Sequence, residues 1–349
     1  MRFGSLPRIT PVRGSTVPPP LTSVATLAGF GAALALVSAV ALFAAGPAFA
    51  QGSEASPGNR GAAPAAAQGR AADRAPRGAS AAPAAPVTAV RLAANVYLLA
   101  GGGGANSTAL VGPDGALLVD AKIDMASGEG VAAALRGVGA DRVRFLVNTH
   151  EHPDHTGANA LFGEQGAVII AHEGVREVLA AGQRGGPPAP AEALPVATFG
   201  DGDVVTLHLD GETAEIRHMP PAHTATNALV RYVNADVYHL GDLYTRVRYP
   251  VIAGGTLQGF IDSTDRVLAM SDASAKFVPG VGEVGDRADL IAYRKMLVTV
   301  RDRVAALVKQ GKSLDEVTAA KPTAEFDETY GQPGPLFLPV IYKELGGGK

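Results

Sequence analysis

The sequence predicts an α/β fold, in which sheets and helices pack against one another in layers. Two observations indicate this class. Short apolar runs of strand length recur between turn residues from about Val87 onward. Segments with the apolar spacing of an amphipathic helix lie between and after those runs. Strands and helices that are intermixed along a chain usually form such layers, although periodicity alone does not fix their topology.

The predicted fold begins with a group of strands. Apolar runs at 96–99, 108–111 and 116–120 are separated by a run of glycines at 101–104 and by a Gly- and Pro-containing turn at 112–115. Strands that follow one another through turns of this kind usually pair as neighbours. The succession therefore predicts a meander.

Helices and strands alternate after this meander. The pattern predicts helices at 125–137, 173–181, 257–272 and 286–310, and strands at 143–147, 167–170, 204–209, 213–219, 228–233, 237–240 and 276–278. A loop is predicted at 185–190 because Gly and Pro dominate it. Ser313 and Glu316 have the spacing of a capping box, which predicts the start of one more helix.

The first fifty residues have the pattern of an export signal. Arg2, Arg8 and Arg13 precede an apolar run at about 21–45, and residues 48–50 form a small-x-small cleavage pattern with Gln51 as the new terminus. An uncleaved membrane anchor is the alternative, because the apolar run is long enough to span a bilayer. Both interpretations predict an exported domain, periplasmic or secreted, and cleavage would leave no stable association with the membrane.

Residues 51–86 are predicted to be a disordered linker, because Ala, Gly, Pro, Ser and Arg dominate this segment and large apolar side chains are rare. The folded domain is predicted at 87–349.

The formal charge is −3, and loss of the three N-terminal arginines would make it −6, so charge gives no reason to expect a nucleic-acid partner. The chain has no cysteine, which excludes disulfides, thiolate zinc sites and cysteine nucleophiles.

A cluster of metal-binding side chains follows the predicted strand 143–147. His150, His152, Asp154 and His155 lie within six residues, and Pro153 shapes a turn among them. Neutral imidazole and carboxylate are ligands that zinc accepts readily. Side chains on a turn at one strand end can converge on a shared point, so the segment predicts a zinc site. An exposed polar turn without a metal is the alternative.

This segment resembles the signature of the metallo-β-lactamase superfamily, and the resemblance extends from about Val87 to beyond Asp286. It implies an αββα sandwich in one compact domain. In that family the residues that correspond to His150 and His152 bind one zinc ion, and those that correspond to Asp154 and His155 bind a second.

Three further residues match the family, one before the histidine cluster and two after it. His223, in a Pro-Ala-His-Thr turn, would complete the first zinc site. Asp242, after Gly241, resembles the carboxylate that bridges both metals in glyoxalase II-like members. Asp120, at the end of a predicted strand, resembles a buried aspartate that supports the ligands from behind. The resemblance therefore implies His150, His152, His223, Asp154, His155 and Asp242 as metal ligands, with Asp154 and Asp242 also acting in catalysis.

One position departs from the family pattern. Many relatives have Pro-Gly-His-Gly before the last long helix, and the histidine there binds the second zinc ion, whereas this chain has Val281. We therefore expect one firmly bound zinc ion and a second that is weakly bound or absent. Glu283 is a conceivable substitute ligand.

The resemblance implies a zinc-dependent hydrolase that uses a metal-activated hydroxide on an ester, thioester, lactone or amide-type bond of a small-molecule substrate. β-Lactamase and glyoxalase II-like activities both fall within this class. Val281 favours the alternative of a degenerate binding protein with a single metal site and little turnover. A relative that binds two irons and oxygen is disfavoured, because the chain has no flavin-binding domain. The substrate and the oligomeric state stay open.

Other candidate side chains have simpler interpretations. His172, His208, His218 and His239 lie in or beside strands and are interpreted as structural, with His239 close enough to Asp242 to support the metal site. The glycines at 101–104 lack the Lys-Ser/Thr of a phosphate loop and are interpreted as a hairpin tip near the site. Tyr244, Arg246, Arg248 and Tyr249 follow Asp242 and lie either on the substrate side or in a solvated loop.

Overall fold

The computed structural model describes residues 85–348, which belong to one compact unit of the chain. The predicted signal peptide at 1–50 and all but the last two residues of the predicted linker at 51–86 lie outside the described residues. Within the described part of the chain, no helix combines the length and the hydropathy needed to cross a bilayer.

The first sheet contains seven strands in the order β1 to β7. Its strands are β1 (Thr88–Arg91), β2 (Val96–Ala100), β3 (Ser107–Gly112), β4 (Gly115–Val119), β5 (Val143–Val147), β6 (Val168–His172) and β7 (Ala197–Phe199). The first four pair in antiparallel fashion, which confirms the predicted meander, and β4 to β7 pair in parallel.

The second sheet contains five strands in the order β12-β11-β10-β9-β8. These strands are β8 (Val204–Leu209), β9 (Glu212–His218), β10 (Ala228–Tyr232), β11 (Val237–Thr245) and β12 (Lys276–Val281). Strands β8, β9, β10 and β11 pair with one another in antiparallel fashion. Strand β12 runs parallel to β11, and a helix connects the two.

Helices cover the outer face of each sheet. They are α1 (Met125–Gly137), α2 (Pro153–Thr156), α3 (Asn159–Glu164), α4 (Glu173–Ala181), α5 (Leu257–Met270), α6 (Arg287–Lys309), α7 (Leu314–Ala319), α8 (Asp327–Tyr330) and α9 (Phe337–Glu344). The predicted capping box is present at the start of α7, where Ser313 and Glu316 exchange hydrogen bonds between side chain and backbone.

The buried side chains divide into layers that follow the alternation of the strands. Val96 and Leu98 of β2 pack between the two sheets, against residues such as Ile216 and Val230 of the second sheet. Tyr97 and Leu99 point to the opposite face, into the core that contains the buried side of α1. A third core joins the second sheet to α5, α6 and the C-terminal helices. The architecture is therefore the expected αββα sandwich.

The predicted end of one strand near the site was wrong. The apolar run predicted a strand that ends at Leu240, but β11 continues through Asp242 to Thr245. The pairing with β12 shifts register at Gly241, which has a φ of 51°. Glycine adopts this left-handed conformation without strain, and a Cβ there would lie 2.8 Å from Thr149 Oγ1. The strand therefore bulges past the site rather than stopping at it.

Candidate metal centre

Three of the predicted histidine ligands lie at the carboxyl end of β5, a central strand of the first sheet. His150 follows the end of β5 by three residues, and His152 is the N-cap of α2. Pro153 occupies the first position of α2, where its fixed φ suits a helix and its missing N–H costs nothing. The chain therefore turns directly after His152, and α2 places His155 back beside the strand end.

The fourth histidine comes from the second sheet. His223 lies in the loop between β9 and β10, and this loop is held by Asn227. The Asn227 side chain accepts a hydrogen bond from Thr224 N at 3.0 Å and donates one to Thr224 O at 2.6 Å. These local hydrogen bonds hold the turn that carries His223.

The imidazoles of His150, His152 and His223 converge. His150 Nε2 lies 3.1 Å from His152 Nδ1, and His223 Nε2 lies 2.8 Å from the same atom. Two nitrogen ligands of a tetrahedral zinc ion lie about 3.3 Å apart, because each Zn–N bond is about 2.0–2.1 Å long. The three nitrogen atoms therefore have nearly the separation that a shared zinc ion requires.

The hydrogen bonds behind His150 and His223 leave the inner nitrogen of each of these two rings free. Thr149 Oγ1 donates to Asp120 Oδ2 at 2.9 Å, so its oxygen accepts the Nδ1–H of His150 at 3.1 Å. His223 Nδ1 donates to Val251 O at 2.7 Å. In a neutral ring whose proton is on Nδ1, Nε2 carries only a lone pair. The lone pairs of His150 Nε2 and His223 Nε2 therefore both point at His152 Nδ1. A proton on His152 Nδ1 or a shared metal ion satisfies them, so the arrangement fits a metal ion.

The protonation of these rings also fits metal binding. Burial lowers the pKa of His150, His152 and His223, and neighbouring histidines lower it further. Neutral imidazole is the form that binds a metal.

A second group of side chains lies beside the first. His155 Nε2 lies 3.5 Å from Asp242 Oδ1, and Asp242 Oδ2 lies 3.4 Å from His223 Nε2. His150, His155 and Asp242 together place three ligand atoms within reach of one ion. Asp154 Oδ2 lies 3.7 Å from His155 Nε2 and belongs to neither three-ligand group among the described residues.

His155 Nε2 is buried and has no hydrogen-bond partner of good geometry. Burial lowers the pKa of His155, but the charge of Asp120, its hydrogen bond and the nearby Asp242 raise that pKa well above the usual value. In the metal-free protein the ring is thus held as a cation between two carboxylates. A metal ion at Nε2 would take the place of one proton.

Val281 occupies the position where the resemblance implies a histidine ligand. Val281 is the last residue of β12 and is half-buried. Glu283 is exposed and belongs to neither three-ligand group in residues 85–348, so the structure does not bring it into the site as a substitute. Neither residue adds a ligand to the second group, which shares His150 with the first.

Asp120 lies behind the ligands, fully buried at the end of β4. Its Oδ1 accepts from Thr149 N at 2.8 Å, and its Oδ2 accepts from Thr149 Oγ1, from His155 Nδ1 at 2.7 Å and from His239 Nε2 at 3.2 Å. Burial raises the pKa of Asp120, but the charge of His155 and the hydrogen bonds from both histidines lower it well below the usual range. The carboxylate is therefore charged and orients His155.

His239 extends this network into the space between the sheets. Its Nδ1 lies 3.1 Å from Thr108 Oγ1, which lies 3.0 Å from Tyr232 OH. His239 thus contacts Asp120 and no candidate ligand, in agreement with a supporting position. The sequence interpretation named this position only as an alternative to a purely structural one.

Lys122 is a buried cation close to Asp120 that the sequence analysis did not single out. Its Nζ donates to Leu99 O at 2.9 Å and to Ala105 O at 2.7 Å, which joins the two ends of the glycine-rich loop. Ala105 N in turn donates to Asp154 O at 3.1 Å. The glycine run is therefore a loop fixed beside the site. No local pattern in the sequence reveals this lysine, because its partners are backbone carbonyls.

Burial of Lys122 predicts a pH dependence of stability. Burial lowers its pKa from 10.5 to about 8, although the charge of Asp120 opposes the shift. Between these two pH values the unfolded chain binds more protons than the folded one, so the free energy of unfolding should rise with pH. The wild-type protein should gain about 3 kcal/mol relative to Lys122→Met across this window.

Urea denaturation of both proteins from pH 7.5 to pH 10.5 measures this difference. Lys309→Met, which removes an exposed lysine at the end of α6, controls for the general loss of one positive charge. A stability difference between wild type and Lys122→Met that stays constant with pH contradicts the prediction.

Three contributors to the site were missed or left open by the sequence. The backbone carbonyl of Val251 orients His223, and no residue type signals such a role. Thr149 joins His150 to Asp120. Arg248 follows β11 and places its guanidinium 3.8 Å from Asp242 Oδ2, which favours the substrate side over a solvated loop for this residue. Arg246 instead pairs with Asp289.

A further cluster at the ends of β6 and β9 could in principle hold an ion. It contains His172, Asp201 and His218. The Nδ1 atoms of His172 and His218 accept hydrogen bonds from Gly174 N and Gly202 N. Each neutral ring therefore carries its proton on Nε2, which donates to Asp201 in His172 and to Ala225 O in His218, so this hydrogen bonding favours a structural role.

Comparison with known proteins agrees with this geometry. A sequence model of the metallo-beta-lactamase superfamily matches residues 100–308, well over half of the chain. The 2,4-dinitroanisole O-demethylase subunit alpha of Nocardioides sp. (strain JS1661) is 27% identical over 129 residues, which are 37% of this chain and 38% of that protein. The chain thus matches well under half the length of this curated relative.

Solved structures share the fold. The metallo-beta-lactamase from Pontibacter korlensis aligns with a TM-score of 0.52 and 18% identity over 61% of this chain and 99% of its own. The DIM-1 metallo-beta-lactamase aligns with a TM-score of 0.51 and 19% identity over 62% and 99%. A double mutant of the sec-alkyl sulfatase PisA1 aligns with a TM-score of 0.57 and 16% identity over 75% and 51%. With the αββα layers and the convergent histidines, these matches show that the chain belongs to the metallo-beta-lactamase superfamily.

Proposed function

We propose that this chain is a zinc-dependent hydrolase that cleaves an ester, thioester, lactone or amide-type bond. The observation that carries this proposal is the convergence of His150, His152 and His223, with the Nε2 lone pairs of His150 and His223 directed at a shared centre. Three nitrogen ligands leave the fourth position of a tetrahedral zinc ion open, as catalytic zinc sites do.

The donor set of the chain suits zinc. Two imidazoles are held by oxygen acceptors, Thr149 Oγ1 for His150 and Val251 O for His223, and such partners are typical behind zinc-bound histidines. Zinc bound there would lower the pKa of water from about 15.7 toward about 7 and would polarise a carbonyl group.

The carboxylates supply the remaining chemistry. Asp242 is 11% exposed and lies between His155, His223 and Arg248, so it can accept a hydrogen bond from water and orient it. Burial raises its pKa, but the close, charged ring of His155 lowers it below the usual range, so the side chain stays anionic. Asp154 Oδ2 lies 3.7 Å from His155 Nε2, and its side chain is 35% exposed, so it has the access to solvent that a proton acceptor needs.

A degenerate binding protein is the second candidate, because Val281 removes a ligand of the second metal. An exported, periplasmic or secreted location and a small-molecule substrate are part of the first proposal. The exported location rests on the signal-like N-terminus. The small-molecule substrate rests on the weak negative net charge, which gives no reason to expect nucleic acid.

The test is a substrate panel with the zinc-loaded protein. A chromogenic cephalosporin, a lactone, an aryl ester and a glutathione thioester represent the proposed bonds. An aryl methyl ether and a secondary alkyl sulfate are added because of the O-demethylase and the sulfatase above. We expect turnover of at least one compound, its loss after chelation, and its recovery when zinc is added back. Firm zinc binding without turnover of any compound would instead favour the binding protein.

Metal stoichiometry tests the effect of Val281. We expect about one zinc ion per chain by elemental analysis, because the second group lacks the histidine that relatives place here. Val281→His should raise the content toward about two, since β12 passes beside Asp242: a Cβ on the neighbouring Gly280 would lie 2.0 Å from Asp242 Oδ1.

Val281→Ala is the matched control, because it removes the valine without supplying a ligand. Two firmly bound ions in the wild-type protein would show that another side chain completes the second site.

A further inference from the structure

A cavity beside the candidate metal centre has a lining that lies mostly outside the site described so far. It has a volume of about 310 Å³. One wall is formed by residues 248–252, which follow β11, and the other by residues 332–337, which lead into α9. The second wall lies beyond residues 100–308, the part of the chain matched by the superfamily. Loops of this kind, rather than the shared fold, set substrate choice.

The cavity adjoins the metal centre through its first wall. Val251 O accepts the hydrogen bond from His223, and Arg248 places its guanidinium 3.8 Å from Asp242 Oδ2. Arg248 therefore lies both in the cavity wall and beside Asp242 of the candidate metal centre.

The lining of the cavity is mostly apolar. Ile252 and Phe337 are buried at its base, while Val251 and Leu336 expose 46% and 68% of their surface. Large apolar side chains that are exposed together beside a cavity mark a surface whose burial by a ligand is favourable. A cavity of this size with few polar groups is typical of a small-molecule site.

The polar groups of the cavity are few. Arg248 is 47% exposed, so its guanidinium can pair with a ligand. Gln332 lies at the other wall, and its amide donates to Asp327 Oδ2 at 3.4 Å. The other oxygen of Asp327 accepts from Tyr249 OH at 2.8 Å, so this carboxylate is engaged by the protein. The cavity therefore presents a hydrocarbon-lined space with a cation at the end nearest the metal centre.

We propose that this cavity receives the hydrocarbon chain of an acyl ester or thioester, and that Arg248 pairs with the acyl oxygen and with the carboxylate that hydrolysis releases. The oxygen of water forms the new C–O bond as the bond to the alcohol or thiol breaks. One proton of the water leaves on the alcohol or thiol, and the other passes to solvent as the acid ionises to the carboxylate. This inference rests on the proposed hydrolase function and adds the substrate class.

Product binding tests the inference without requiring turnover. Isothermal titration of the zinc-loaded protein with acetate, butyrate and octanoate should show affinity that rises about three- to fourfold per added methylene. Arg248→Gln should weaken octanoate binding about tenfold and leave octanol binding unchanged, because only the acid carries a charge. Leu336→Ser should weaken the binding of both compounds about fivefold.

Matched controls exist elsewhere on the surface. Arg144 is 45% exposed and lies 3.7 Å from Asp114 Oδ2, so Arg144→Gln removes a comparable pair outside the cavity. Val196 is 69% exposed and does not line the cavity, so Val196→Ser matches Leu336→Ser. Neither control should change octanoate binding.

The outcomes separate this inference from the proposed function. Affinity that does not depend on chain length, or octanoate binding unchanged in Arg248→Gln, overturns the acyl-chain assignment even if the panel shows hydrolysis. The expected binding pattern in a protein that hydrolyses no panel compound supports the cavity assignment and points to an acyl-binding protein.

Discussion

His150→Ala combined with His152→Ala should abolish both zinc retention and turnover. The two rings supply two of the three nitrogens that converge at the first site, which leaves only His223 there. His150 is also lost from the second group, which keeps only His155 and Asp242. Metal catalysis contributes several kcal/mol of transition-state stabilisation, and each 1.36 kcal/mol is tenfold in rate. We therefore expect kcat/KM to fall by at least about 10³-fold, with zinc near background by elemental analysis.

The exposed strand residue His208 supplies the control, since His208→Ala removes an imidazole of β8 that contacts only Thr213 in its hydrogen bonding. That variant should keep its zinc and its rate. Circular dichroism of the double variant should match that of the chelated wild-type protein, which shows that loss of the metal and not of the fold is responsible. An unchanged rate in the double variant would remove the proposed mechanism.

Asp120→Asn should both destabilise the protein and weaken metal binding. The carboxylate accepts four hydrogen bonds while fully buried, and an amide of the same shape turns a donor toward groups that already donate. Breaking a buried charged pair of this kind costs about 3–5 kcal/mol. Because Asp120 also orients Thr149, whose oxygen holds the zinc ligand His150, zinc affinity should fall about 10- to 100-fold.

Urea denaturation of the zinc-free proteins measures the first effect, and competition with a chelating dye measures the second. Asp201→Asn is the matched control, because Asp201 also accepts from a histidine, His172 at 3.0 Å, but is 85% exposed. That variant should change stability by less than about 0.5 kcal/mol. Equal effects of the two substitutions would contradict the supporting role of Asp120.

Most of the helices and strands could be predicted because the spacing of apolar residues along the sequence is a local property. The period-two alternation of β2 separates Leu98 from Leu99 into different cores, and the helical spacing of 286–310 predicts α6 almost to its ends. The αββα arrangement itself came from the resemblance. The wrong end for β11 has a physical cause: Gly241 and Asp242 break the apolar run, and only pairing with β12 keeps the strand extended there.

The short elements β1, β7, α8 and α9 were not predicted, since each is brief and its helical or extended state depends on the surface it covers. Phe337 and Ile341 of α9, for example, are buried in the core against the second sheet, a contact that no local pattern reports.

By itself the sequence determined the class of layers, the residue types of a metal centre and the positions along the chain that would supply them, because strand and helix periods and ligand chemistry are local properties. Only the tertiary structure decided which atoms meet. The 2.8 Å approach of His223 to His152, the support of Asp120 by His239, and the placement of Arg248 between Asp242 and an apolar cavity all join residues that are far apart in the chain. Such contacts depend on how two sheets pack, and packing is a property of the whole molecule.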